Sequence, residues 1–429
     1  MTDNKKVLVL SISAWNSRVG ADTWPALVSG MNPDNVASVS LREETPDSLA
    51  CNNYFVLSEN KVLKSIFNRK IKTGKKIEPC VLIEDENKDL SEHNKRYQKM
   101  GRKRNLFGLI AREMVWMLGK WKTADLYKFI TDFSPDIILY SMDGYIHFNR
   151  LCRYAKKITS AKSIGFFVDD NFTYKQSAKL GLKVFRFLQR NSLKKLAKQT
   201  DAFWAITDMT KKEADECFNI DCTVITKPIQ REMGEIAYLT EKPIKLLYTG
   251  NLQIGREYSL VRVVNAIKKI GAEKDFVVDI YTKTVLDESI KKQLNCDFCY
   301  LHDPVAQNEV LALQKKADIL LFLEAMDGEN AHTARLSFST KITDYLSSGK
   351  CIFAIGCADT APMQYFIENN AAITAINDEQ IENGLREIIK DTGILTLYAE
   401  QAREIGIKNH SKDVVLKAVE KSICDTLGV

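Results

Sequence analysis

Residues 334–356 read ARLSFSTKITDYLSSGKCIFAIG, and this stretch decides the fold. Ser337, Ser339 and Thr340 stand ahead of Lys341. Asp344-Tyr345-Leu346 follow, and Gly349 precedes the apolar run Cys351–Ile355. A small hydroxyl residue is a good N-cap, and a glycine just past the last periodic apolar residue is a common helix stop. The spacing therefore predicts a helix that opens at Ser339 or Thr340 and closes at Gly349, then a buried strand. The segment before it, DILLFLE (318–324), reads as another buried strand. A strand, a helix and a strand at this spacing give a parallel pair.

Working outward, the pattern repeats. IKLLYTG, FVVDIYT, DFCYLH and AAITAI read as further strands. SLVRVVNAIKKIG, LDESIKKQL, AQNEVLALQKKA, PMQYFIENN and DEQIENGLREIIKD read as amphipathic helices between or after them. Alternation of this kind predicts an α/β fold with helices on both faces of a parallel sheet. The N-terminal half is less regular, but KVLVLSI, PDIILYSM, AKSIGFFV, DAFWAIT and CTVIT read as parallel strands. The expected organisation is two Rossmann-like, doubly wound domains facing a cleft. The first spans 1–235, with an insertion over about 42–105 carrying its own helices. The second spans 242–405. REMGEIAYLTEKP reads as the linker, and 406–429 as a last helix that closes the second domain or crosses back to the first.

The 429-residue chain has the apolar and charged content of a soluble globular protein. Its first residues are polar and lead straight into a strand, which is no secretory signal. NLFGLIAREMVWMLG, the most apolar helical run, carries Arg112 and Glu113 at its centre, so it is not a membrane span. Ten scattered cysteines fit a reducing compartment, so a cytoplasmic protein is expected. Cys296 and Cys299 form one CxxC with no second pair at ligand spacing, so no metal site is expected there. Charge is uneven. Residues 1–240 hold 39 Lys and Arg against 28 Asp and Glu, a net +11, whereas 241–429 hold 22 against 27, a net −5. An anionic partner for the first half is implied. GRKRNLFGLIAREMVWMLGKWK and KLGLKVFRFLQRNSLKKLAKQ mix Lys and Arg with apolar residues, so a core-packing helix with a solvated basic face and a peripheral anionic-membrane surface are both readings. For membrane docking, Phe107, Trp116, Trp121, Phe185 and Phe187 are the expected inserting residues, with Lys183, Arg186, Arg190 and Lys194 the basic ones. No nucleic-acid recognition motif is present.

In the predicted architecture ligands sit beyond the carboxyl ends of the strands. Lys341 and Asp344 are expected there, in the first turn of their helix beside Ser339 and Thr340. Lysine and helix N–H groups suit a phosphate, and Asp344 can accept from the hydroxyl pair of a ribose. YTGNLQIGREYS (248–259) places Gly250, Asn251, Gly255 and Arg256 after the first strand of the same domain. Glycine lets a ligand approach the backbone, and arginine can fork onto phosphate oxygens. Together the two groups predict a diphosphate site, with Lys341 and Arg256 exposed in it. In the other half FFVDDNFTY offers Asp169 and Asp170 after a strand, for acceptor binding or proton handling, with loop-capping carboxylates the plainer reading.

At these residues a resemblance appears. The second half is similar to the nucleotide-sugar domain of GT-B glycosyltransferases, in particular the retaining family four enzymes of bacterial surface polysaccharide synthesis. YTGNLQIGREYSL resembles their glycine-rich turn and basic residue. KKADILLFLE resembles their "ADxxxxP" strand, and SFSTKITDYLSSGKCIFAIG their "S-K-x-x-E-Y-L-x-x-G-K-P" motif. DAFWAITDMTKKEADECFNIDCTVITKPI resembles the end of their acceptor domain. The resemblance implies transfer of a sugar from a nucleoside-diphosphate sugar to a hydroxyl of a glycan or lipid-linked acceptor. It implies no cofactor beyond that donor substrate and no catalytic metal. Arg256 and Lys341 would hold the diphosphate, with Gly250, Asn251, Ser339 and Thr340 around it, and Asp344 the ribose. Outside that resemblance, Asp170 is the candidate catalytic carboxylate by its place after a strand of the first half. Ser11, Trp15 and Gly20 fall in the loop that lines the acceptor side in that family. One departure concerns a glutamate eight residues before the ribose position: here it is Leu336, with Glu324, Asp327, Glu329 and Arg335 the candidates to stand in. A GT-B nucleotide-sugar epimerase and a non-catalytic GT-B scaffold subunit are the alternative readings.

Overall fold

The computed structural model describes residues 4–16, 22–78, 106–175, 180–236 and 242–429. The chain divides into two compact units. One comprises Met1–Thr173, Ala178–Ile225 and Leu416–Val429, the other Tyr174–Ser177 and Thr226–Val415.

The first unit is built on strands β1 (Val7–Ser11), β2 (Val36–Ser40), β3 (Asn53–Leu57), β4 (Gly74–Ile77), β5 (Ile137–Ser141), β6 (Lys162–Phe167), β7 (Ala202–Ala205) and β8 (Cys222–Val224). They lie in the order β4-β3-β2-β1-β5-β6-β7-β8. Neighbours are parallel except that β4 runs antiparallel to β3 on the edge. The expected insertion at 42–105 is corrected here. Its described part carries one helix of its own, Glu59–Phe67, but β3 and β4 continue the sheet. NYFVL is a short apolar run that packs on both faces, so it lacks the alternation that marks a half-exposed strand. The rest of that segment, 79–105, lies outside the described residues. The helix Lys412–Leu427 ends the chain, and its last turns pack in this unit, where Trp204 Nε1 donates to Ser422 Oγ at 2.8 Å.

The second unit holds β9 (Ile244–Thr249), β10 (Phe276–Tyr281), β11 (Cys299–His302), β12 (Ile319–Leu323), β13 (Cys351–Ile355) and β14 (Ile373–Ala375), all parallel, in the order β11-β10-β9-β12-β13-β14. Alternate side chains of these strands serve two cores. Leu246, Leu321, Phe353 and Ile355 meet Leu260, Val264, Leu385 and Ile388 from helices Arg256–Lys269 and Asp378–Lys390. Leu247, Leu320, Phe322 and Ile352 meet Ile342, Leu346, Met363 and Phe366 from helices Thr340–Leu346 and Ala361–Asn369. The sheet is therefore covered on both faces, which is why its strands read as unbroken apolar runs. Strand order reverses between β9 and β12. In open sheets of this kind, ligands bind beyond the carboxyl ends of the strands at such a reversal.

Candidate functional site

The predicted donor residues gather at that reversal. β9 ends at Thr249, and Gly250 takes φ +136 while its N–H donates to the Tyr281 carbonyl at 2.9 Å. A Cβ at 250 would lie 2.3 Å from Lys341 Nζ, so only glycine admits the lysine. Lys341 Nζ donates to Tyr248 Oη at 3.2 Å and lies 4.3 Å from the centre of that ring. Tyr248 Oη in turn donates to the carbonyl of Asn251 at 2.7 Å. Lys341 is thus packed against the end of β9, which corrects its expected exposure. Burial pulls its ammonium down to about 7; Arg256 pushes the same way, and Glu324 and Asp344 oppose.

Arg256 opens the helix Arg256–Lys269, and it too is held rather than exposed. Its Nε donates to the Leu323 carbonyl and to Glu324 Oε2, both at 3.1 Å, and its Nη2 reaches Glu324 Oε1 at 2.9 Å. Glu324, one of the residues considered for the missing glutamate, is thereby the counter-ion of Arg256. Between β9 and this helix the chain passes through Ile254 at φ +59 and Gly255 at φ +83. A Cβ at Gly255 would meet Ala325 Cβ at 2.7 Å, so the loop is pressed onto the segment after β12.

Ser339 caps the helix Thr340–Leu346, its Oγ accepting from the Lys341 N–H at 3.4 Å, while Thr340 is exposed. Counting from this cap, Asp344 is the fifth residue of a seven-residue helix. Its expected place in the first turn is corrected: it lies one turn on. Asp344 Oδ1 lies 3.3 Å from Arg231 Nη2. Arg231 also donates to Ser347 Oγ and Gln314 Oε1, each at 2.9 Å. Sequence reading missed Arg231 because it belongs to no periodic element and was absorbed into the linker. A signal existed in Gly349, which takes φ +73 and would carry a Cβ 2.4 Å from the Glu235 carbonyl. Close backbone approach of residues 234–235 is what demands glycine there. Leu336, at the departure from the family motif, is fully buried, as is Arg335. Asp327 accepts from Asn330 N–H at 2.9 Å, capping a short helix.

The acceptor-side candidates fare differently. Trp15 is 1% exposed and packs edge-on against Tyr54 with ring centres 5.7 Å apart, so it is core rather than lining. Ser11 Oγ donates to the Ser13 carbonyl at 2.8 Å. Gly20 lies outside the described residues. Asp170 accepts from the Thr173 N–H at 3.0 Å and from Thr173 Oγ1 at 2.6 Å, which is the loop-capping arrangement. A neighbouring carboxyl escaped notice. At Asp143, just after β5, burial pushes the pKa up to about 6, and Asp169 adds to the rise. The next helix, Ile146–Ile158, opens on Glu113, which accepts from the N–H groups of Ile146 at 3.1 Å and His147 at 2.9 Å. These residues are far apart in sequence, and only the sheet topology gathers them.

Of the residues expected to insert into a membrane, Phe107 and Phe187 are exposed, whereas Trp116, Trp121 and Phe185 are buried. Arg190 is buried as well. The expected basic surface is corrected accordingly: helix 180–197 turns Phe185, Arg190, Leu193 and Leu196 inward at helical spacing. Cys296 and Cys299 are free thiols, and Cys299 is pushed up to about 12 by burial.

No protein-family model matches the sequence, and no curated protein matches it. Solved structures do match. Sucrose-phosphate synthase from Thermosynechococcus elongatus superposes with a TM-score of 0.64 at 9% identity, over 99% of this chain and 100% of that one. HepE of Anabaena, solved with UDP and glucose, gives 0.61 at 10% identity over 98% and 100%. The α,α-trehalose 6-phosphate synthase of Burkholderia multivorans gives 0.57 at 10% over 99% and 97%. At such identities the likeness establishes the fold, which is GT-B.

Proposed function

We propose that the chain is a glycosyltransferase that moves a sugar from a nucleoside-diphosphate sugar to a hydroxyl of a glycan or lipid-linked acceptor, in bacterial surface polysaccharide synthesis. The observation that carries this reading is Lys341, a lysine that makes no carboxylate contact among the described residues and is held between Tyr248 and the glycine Gly250, at the strand-order reversal of a GT-B domain. A half-buried cation placed where ligands of this fold sit calls for an anion. HepE, whose chain shares this fold, has been solved in complex with UDP and glucose and with UDP-glucose, which favours a nucleotide sugar as that anion.

As the bond to the sugar breaks, negative charge grows on the leaving diphosphate. Lys341, and Arg256 through the Nη1 edge that Glu324 leaves open, stabilise it without a metal. Asp344, steadied by Arg231, takes the ribose hydroxyls. On the acceptor side Asp143, whose carboxyl burial pushes up to about 6, is better suited than Asp170 to receive the proton of the attacking hydroxyl. Acceptors of lipid-linked type place the protein at the cytoplasmic face of a membrane.

The test is a panel of nucleotide sugars, scored first for binding and then for free nucleoside diphosphate released in the presence of acceptor. Lys341→Ala should lower turnover about a hundredfold, as loss of one charge-stabilising group does. Turnover should persist in EDTA. Binding without release would favour epimerisation, no binding at all a scaffold, and full loss in EDTA restored by Mg²⁺ a metal-dependent transfer.

A further inference from the structure

The first unit carries a second feature that the donor reading does not use. A cavity of about 610 Å³ is lined by Lys122, Arg150, Arg153, Tyr154, Lys156, Lys157 and Gln199. Arg150, Arg153, Tyr154 and Lys157 recur at three- and four-residue spacing along the helix Ile146–Ile158, so they share one face. That helix starts at the carboxyl end of β5 and returns to the amino end of β6. Lys157 lies close before β6, and Gln199 close before β7. The cavity therefore extends toward the amino edge of the sheet, away from Asp143 and from the edge where ligands of the fold sit.

Five cations line this space, and among the described residues only Lys156 has a carboxylate partner, Asp201. Lys122 Nζ rests 5.2 Å from the ring centre of Trp121 and 5.3 Å from that of Tyr154, and the Arg150 guanidinium is 5.7 Å from Trp121. Trp121 is buried and meets Tyr154 edge-on at 5.6 Å, so the aromatic wall is fixed. Arg150 Nη1 donates to the Trp116 carbonyl at 3.4 Å and Arg153 Nε to Gln199 Oε1 at 3.4 Å, long bonds that leave most of both guanidinium forks available. Like charges gathered around a concavity repel unless an anion comes between them. Its volume is that of a small-molecule site, and arginine forks match phosphate oxygens.

We propose that this cavity binds a multiply charged phosphate group, at a site separate from the donor site. The source of that phosphate is a soluble phosphorylated compound or the headgroup of an anionic lipid, and the experiment has an arm for each. Inorganic pyrophosphate is titrated calorimetrically into the full chain and into Arg153→Gln/Lys157→Gln, two surface changes that leave the core intact. The variant should lose one class of pyrophosphate site, or bind it about a hundredfold more weakly, since two cation–phosphate bonds are lost and each is worth roughly tenfold. In parallel both proteins, each also carrying Phe107→Asp/Phe187→Asp to remove the exposed apolar face, are sedimented with phosphatidic acid vesicles at low salt. Weaker pyrophosphate binding with unchanged sedimentation assigns a soluble phosphate; loss of both assigns a headgroup. Identical pyrophosphate isotherms for the two proteins would overturn the proposal. The donor reading is not at stake, because Lys341 is untouched in both.

Discussion

At the scale of single residues, the candidate site is two cations held in different ways. Lys341 has lost most of its water, and its pKa of about 7 means that near pH 8 it is mostly neutral before a ligand arrives. An adjacent diphosphate favours the ammonium, so binding at pH 8 should take up close to one proton. Affinity should fall as pH rises above 7, by at most about tenfold per unit. Titrations of UDP in buffers of different ionisation enthalpy measure that uptake; Lys341→Arg, which does not titrate, should show none of it. Gly250→Ala should remove binding for a steric reason, since its Cβ falls on the lysine amine and its φ of +136 is closed to other residues. Arg256 is the reverse case, a fork closed on Glu324, whose side chain is 10% exposed. Arg256→Ala strands that carboxylate and should cost about 3 kcal/mol, as breaking a buried pair does. Adding Glu324→Gln should recover a good part of it, read as the urea midpoint. A fully additive double mutant would show that the two groups are not coupled.

At the scale of elements, the loop from Asn251 to Gly255 shows what the sequence reveals and what it hides. Glycine after a strand announced the turn, and the two glycines do occupy positive φ. Nothing in the letters announced Ile254, a β-branched residue at φ +59, where such residues are rare. Its side chain is 42% exposed, so packing there offsets little of the strain. Ile254→Asn should therefore stabilise the protein by about 1 kcal/mol, since asparagine tolerates the left-handed region. An unchanged urea midpoint would mean that the surrounding contacts already relieve the strain. The elements of the second unit were legible because each strand is bounded by a polar turn and each helix has an apolar stripe at period 3.6. β3 and β4 were not, because an apolar run next to a lysine-rich edge strand, GKKI, resembles an insertion as much as a sheet. Arg231 and Asp143 were hidden for another reason: their charged partners lie across the fold, and apart from the glycine at 349 the chain carries no trace of them.

At the scale of the whole molecule, the excess positive charge of the first half coincides with a patch of exposed apolar side chains on two of its helices. Phe107, Ile110 and Met114 project from helix Leu106–Leu118, and Leu180, Val184 and Phe187 from helix Leu180–Ala197. The two helices touch, since a Cβ at Gly181 would lie 2.8 Å from Leu106 Cδ2. Phe107 and Leu180 are each 79% exposed, which is unusual for large apolar residues so close together. Lys183 and Lys194 supply charge on the second helix, though the burial of Arg190 removes one expected contributor. No helix among the described residues is long and apolar enough to cross a membrane. What such a surface offers is attachment: each basic residue near an anionic leaflet contributes about 1 kcal/mol, screened within a Debye length. Shallow burial of two phenylalanines adds a part that salt does not screen. The full chain should therefore sediment with phosphatidylglycerol vesicles at low salt and be released steeply, but not wholly, as salt rises. Phe107→Asp/Phe187→Asp should abolish the salt-resistant remainder, while Lys183→Gln/Lys194→Gln should flatten the salt dependence. A protein that ignores the vesicles at low salt has only a solvated basic face, and its acceptor is then a soluble molecule.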